Sequence, residues 1–141
     1  MKKLLVISII AIFAFSSCGK YEDGPAFSLA SKKSRLVNVW QLDKAFENGV
    51  EVQLSADDKD DYMEFTKDNK IKATIVSGSQ STTVEGTWEF DSKKENIITK
   101  ITVMGITIEQ TLKILRLKSN ELWVEEKHGN DVYKYYYVTK K

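Results

Sequence analysis

Few side chains in this sequence could do chemistry, and each stands alone or is loosely placed. Cys18 is the only cysteine among 141 residues. It has no disulfide partner, and a redox or metal motif would need further ligands close by that are absent. His128 is the only histidine. It sits in a His128-Gly129-Asn130-Asp131 turn with no serine or cysteine motif beside it, which argues against a nucleophilic triad. Asp57, Asp58, Asp60 and Asp61 could hold calcium only loosely, because the Asp-x-Asp-x-Asp-Gly spacing of a dedicated loop is missing; a solvated acidic loop explains them better. Glycine-rich phosphate motifs are absent as well. The expectation is therefore no catalytic residue, no metal site, no cofactor and no enzymatic activity.

What precedes Cys18 gives the thiol its chemistry. Met1-Lys2-Lys3 is a basic start, Leu4 to Phe15 is an apolar run, and Ser16-Ser17 are small, which is the layout of a secretory signal. A membrane-spanning helix needs about 20 apolar residues, so this run is too short for a permanent span. A cysteine placed directly after such a segment resembles the lipobox of bacterial lipoproteins, although Phe15 stands where an aliphatic residue is usual. The resemblance implies a diacylglyceryl group on the Cys18 thiol, cleavage before Cys18, and acylation of the new amino terminus by a chain such as palmitate. Each buried methylene contributes roughly 0.8 kcal/mol, so two or three acyl chains would hold a small domain to a membrane. The expected location is the cell envelope, at the outer membrane, facing either the periplasm or the surface. A plain signal peptide with an incidental cysteine is the alternative.

Removing residues 1–17 from 141 leaves 124, enough for one domain. The full chain carries 21 basic and 20 acidic residues, and loss of Lys2 and Lys3 leaves 19 against 20. That balance provides neither a nucleic-acid footprint nor a strongly basic membrane face. Residues 18–34 read as the lipidated amino terminus and a linker, with Gly19, Gly24 and the only proline, Pro25, in a stretch of little apolar periodicity. Lys20, Glu22 and Asp23 are similar to the charged surface-export signals of lipoproteins in some Gram-negative phyla; a plain tether is the other reading. A brief helical turn is expected within Ser28 to Arg35.

From residue 35 to 141 the pattern is strand after strand. Val50 to Leu54 alternates as a half-buried strand should, and Val84, Gly86, Trp88 and Phe90 share one face of the next clean alternation. Ile97, Thr99, Ile101 and Val103 share a face, as do Ile106, Ile108, Gln110, Leu112 and Ile114. About eight or nine strands with short turns and no convincing helix predict an all-β antiparallel sandwich or up-and-down barrel. The lack of helix-length crossovers argues against a parallel sheet.

The Val39-Trp40-Gln41-Leu42 strand, the Tyr62 to Asn69 hairpin, Gly86 to Phe90 and the Ile114 to Trp123 segment together resemble the lipocalin-like domains of anchored bacterial lipoproteins. In that family a first-strand Gly-x-Trp plugs the barrel base beneath a late arginine. Trp40 matches the tryptophan, Asn38 replaces the glycine, and Arg116 is the candidate partner. The resemblance implies an up-and-down β-barrel of about eight strands, 35–141, whose interior either holds a small hydrophobic ligand or is filled by side chains. Trp88, Phe90, Ile97, Ile101, Ile108 and Leu112 would line a pocket or form core, with Gln110 and Thr99 as polar interruptions. Tyr133, Tyr135 and Tyr137 on one face of the last strand suit either protein or glycan contact or cross-strand pairing. The expected partners are a membrane, through lipid on Cys18, and a small hydrophobic ligand. The alternative is a structural or protein/glycan interaction module with a packed barrel.

Overall fold

The computed structural model describes residues 30–141. The expected signal peptide, Cys18 and the Lys20-to-Asp23 tract lie outside them. The described chain runs α1 (Lys32–Leu36), β1 (Val39–Glu47), β2 (Val50–Val52), α2 (Ala56–Asp60), β3 (Tyr62–Phe65), β4 (Lys70–Ser77), β5 (Gln80–Phe90), β6 (Asn96–Val103), β7 (Ile106–Leu117), β8 (Glu121–His128) and β9 (Asp131–Thr139). From β3 onward each strand pairs antiparallel with the next, and β1 pairs with β9 from Trp40 to Glu47, closing the sheet. β3 pairs with Val39–Gln41 and β2 with Ala45–Glu47 on the same edge of β1. Eight strands therefore circle a closed antiparallel barrel, and β2 is a short offshoot. This is the up-and-down, lipocalin-like barrel that the resemblance implies, and it decides between the sandwich and the barrel that alternation left open.

Tight hairpins set the register. Asn48-Gly49 and Met104-Gly105 all have positive φ, the backbone that a two-residue turn needs to follow strand twist. They stand at one end of the barrel, the mouth, with the β4–β5 and β8–β9 tips. The other end is closed by α1. Ser31 caps this helix by accepting from the Ser34 amide, and the segment is tied to three turns at the base. Lys32 Nζ donates to the Lys94 carbonyl at 3.1 Å, Lys33 Nζ to Asn69 Oδ1, and Asn38 Nδ2 to the Ser119 carbonyl at 3.3 Å. Trp40, 0% exposed, fills this base and donates from Nε1 to the Leu36 carbonyl at 2.9 Å. Around it pack Leu36, Phe65, Ile97, Ile114, Leu117 and Leu122.

Several expectations are corrected. The acidic segment is a five-residue helix, α2, not a loop. Ser55 and Asp58 form a reciprocal capping box, and a helix this short shows no apolar periodicity to read. Its acids accept backbone amides: Asp57 from Gly78 at 2.8 Å and Asp61 from Val76 at 2.7 Å. The alternation of Val50 to Leu54 yields a strand of only three residues, and all three are exposed. It hangs beyond the closed sheet with no layer over it. Arg116 does not sit on Trp40. A β-bulge between Ile114 and Arg116 turns the arginine to the outer face, where its guanidinium lies 4.5 Å over the Trp123 ring and its Nε donates to Glu121 at 2.8 Å.

Candidate functional site

Direct cross-strand partners point to the same side of a sheet, so the register identifies the lining of the barrel. Trp40 faces in; so do Met63, Ala73 and Val84, linked by the pairs Trp40–Met63, Met63–Ala73 and Ala73–Val84. Gly86–Ile101, Trp88–Thr99 and Phe90–Ile97 continue the ring, followed by Ile101–Ile108, Thr99–Gln110 and Ile97–Leu112. Val124–Tyr135, Leu122–Tyr137 and Tyr137–Leu42 complete it.

This lining divides into two halves. Toward α1 it is packed solid. Trp88 is 2% exposed, meets Phe65 and Phe90 edge-on at 5.6 and 5.4 Å, and donates from Nε1 to the Thr66 carbonyl at 3.2 Å. Ile97, Thr99 and Leu112 are buried beside it. Toward the mouth the packing stops: Ile108 is 51% exposed although it faces inward. A cavity of about 160 Å³ opens in this half, lined by Leu42, Asp61, Met63, Ala73, Ile75 and Tyr137, with Tyr62 and Thr74 at its edge.

The last strand supplies the polar chemistry of the open half. Tyr133, Tyr135 and Tyr137 all face the lumen, and Tyr135 and Tyr137 lean on the core. Tyr133 donates to Glu47 at 3.3 Å, and the nearby Glu47 carboxylate holds its phenol above the usual range. Burial, then the charge of Glu126, pushes Tyr135 up. Burial drives the Tyr137 phenol further up, with Tyr135, Glu126 and Asp61 adding to it. All three tyrosines are therefore neutral hydrogen-bonding groups at physiological pH. On the outer face Tyr136 stacks on Trp123 with ring centroids 4.2 Å apart. Cross-strand pairing thus describes all four tyrosines: Tyr133, Tyr135 and Tyr137 pair along an inner wall, and Tyr136 pairs on the outer face.

A larger hollow of about 500 Å³ lies outside the barrel, between β1, the segment after β2 and α2. Charged Asp43, Lys44, Glu51 and Lys59 line it. Its lining is mostly charged and polar, so the smaller, more apolar lumenal cavity is the better candidate for an apolar ligand. Among the described residues no group of three or more His, Cys, Asp and Glu side chains could hold a metal ion.

The model of the lipocalin-like domain matches residues 36–124, well over half of the sequence. The chain belongs to this lipocalin-like domain family. The match ends within β8, so β9, which closes the barrel and brings the tyrosines, lies beyond it. No curated protein matches the sequence. Among solved structures, insecticyanin from the tobacco hornworm Manduca sexta is similar, with a TM-score of 0.60 at 12% identity. The alignment covers 84% of this chain and 66% of insecticyanin. At that identity the likeness establishes the shared barrel fold.

Within this lipocalin-like barrel the six residues expected to contact a ligand separate. Trp88, Phe90 and Leu112 belong to the packed half, Phe90 only partly covered. Ile101 and Gln110 are half-buried at the boundary, while Ile108 stands in the open half. All six face inward, but none lines the cavity. Its walls come from β1, β3, β4 and β9 instead. Alternation along β9 already placed Tyr137 on a face with Tyr135; what it could not say was which face closes onto β1.

Proposed function

We propose that this lipocalin-like protein is a lipid-anchored, non-enzymatic carrier or sensor of the cell envelope that holds a small hydrophobic ligand in the open half of its barrel. The cavity of about 160 Å³ carries the ligand part of this reading. Leu42, Met63, Ala73 and Ile75 give it apolar walls, and Asp61 and Tyr137 supply a few polar groups. Concave, mostly apolar sites with a small number of placed polar groups are what small-molecule binding requires. Replacing Ala73 by Phe fills that space from β4 and is expected to abolish binding without unfolding the barrel.

Lipid on Cys18 supplies the membrane partner in this reading, and the layout of residues 1–18 supports it. Cys18→Ala is expected to move the protein from the membrane fraction to the soluble fraction. Persistence with lipid after that substitution would refute the anchor. A second reading, an interaction module acting through its rim, draws support from the β6–β7 tip, where Met104 is 98% and Ile106 68% exposed.

A further inference from the structure

The lumen of the open half has an unbalanced charge. Its ionisable lining groups are acidic: Asp61 at the cavity, Glu126 in register with Tyr133, and Glu47 at the rim. Every lysine on a barrel strand, from Lys44 on β1 to Lys134 on β9, is instead in register with outward-facing partners. The nearest counter-group is His128, whose Nε2 lies 3.1 Å from Glu126 Oε1 at the solvent-exposed end of β8. Glu126 itself is only 7% exposed.

Three polar atoms are left open in this setting. Asp61 Oδ1 is occupied by the Val76 amide, but Oδ2 takes no hydrogen bond or ion pair among the described residues. Glu126 Oε2 has none either. The Tyr137 hydroxyl also makes no hydrogen bond among the described residues, although burial and the charges of Glu126 and Asp61 act on it. Asp61 and Tyr137 both line the cavity, so it offers a ligand a carboxylate oxygen and a phenol hydroxyl beside apolar walls and no basic side chain.

We propose that the cavity takes a small organic cation, a protonated amine on a short apolar skeleton, whose ammonium group is shared by Asp61 and the Tyr137 hydroxyl, with Glu126 on β8 adding negative potential from farther along the lumen. The apolar part packs on Leu42, Met63 and Ile75, and the tyrosine rings of β9 add cation–π attraction. A fatty-acid-type anion is excluded, because its carboxylate would be desolvated beside like charge with no basic side chain to pair it. This inference rests on the reading of the lumen as a ligand site.

Calorimetric titration of the full chain with 2-phenylethylamine, 2-phenylethanol and phenylacetate tests it, since the three share a skeleton and differ in charge. The amine is expected to bind about tenfold or more tighter than the alcohol, a difference of roughly one favourable charge contact, and phenylacetate weakest. Asp61→Asn should bring the amine strongly toward the alcohol, and Glu126→Gln should narrow the same ratio by less. If the alcohol or phenylacetate binds as tightly as the amine, the cation inference is wrong and the ligand site stands. If none of the three binds, both fail.

Discussion

Trp40→Ala is expected to destabilise the barrel by about 3–5 kcal/mol, the range for removing a large buried aromatic side chain. The indole is wholly buried and lies where the barrel closes, with Met63 on β3 and Thr139 on β9 as its direct partners. Truncation leaves a void at the junction of β1, β3 and β9, and it strands the Leu36 carbonyl that the indole N–H now satisfies. For a domain of this size the loss corresponds to a fall in Tm on the order of 15 °C. Trp40→Phe keeps most of the volume and loses the N–H, so it should cost much less. Chemical denaturation of the two variants checks this; a loss under about 1 kcal/mol for Trp40→Ala would mean that Trp40 does not hold the base together.

Gly86→Val should be comparably severe, for the opposite reason. A Cβ built on Gly86 would lie 2.1 Å from the Lys100 carbonyl oxygen and 2.9 Å from both Cα and Cγ1 of Ile101. Two of those three atoms are backbone, which cannot move aside as a flexible side chain would. The requirement is one of space, because β5 and β6 approach closely where Gly86 pairs with Ile101. Any side chain would push these strands apart in the middle of the inner wall, at an expected cost of about 3 kcal/mol or more. Alanine at the adjacent, outward-facing Thr87 should be nearly neutral, and thermal melts of the pair measure the contrast.

Much of the fold was legible because the barrel is built from period-two alternation. Val84, Gly86, Trp88 and Phe90 on β5, with Ile97, Thr99 and Ile101 on β6, form one inner wall as their spacing implies. Trp40 was identifiable as the base plug from the motif around it, and its burial agrees. Features that depend on a single inserted residue or on chain closure were not legible. The bulge before Arg116 reverses which face that residue occupies, and nothing in Ile114-Leu115-Arg116-Leu117 announces it. α2 depends on one capping box.

The same limit applied to the site. Strands β5, β6 and β7 show the longest alternation, so attention fell on Trp88 and its neighbours. Those side chains are long and apolar, and they meet neighbours close enough to fill the base. The cavity instead forms along the neighbouring strands β4, β3, β1 and β9, where a small side chain, Ala73, leaves room beside Leu42 and Tyr137. It exists only once β9 has returned to pair with β1, a contact between opposite ends of the domain. Sequence spacing along one strand carries no information about that closure.

Native mass spectrometry of the full-length protein, purified from the cells that make it, tests the central claim most directly. The expected spectrum shows the acylated polypeptide with an added small organic molecule that is released on denaturation and is absent from the Ala73→Phe variant. A wild-type protein whose mass is that of the acylated polypeptide alone would contradict the ligand-binding account.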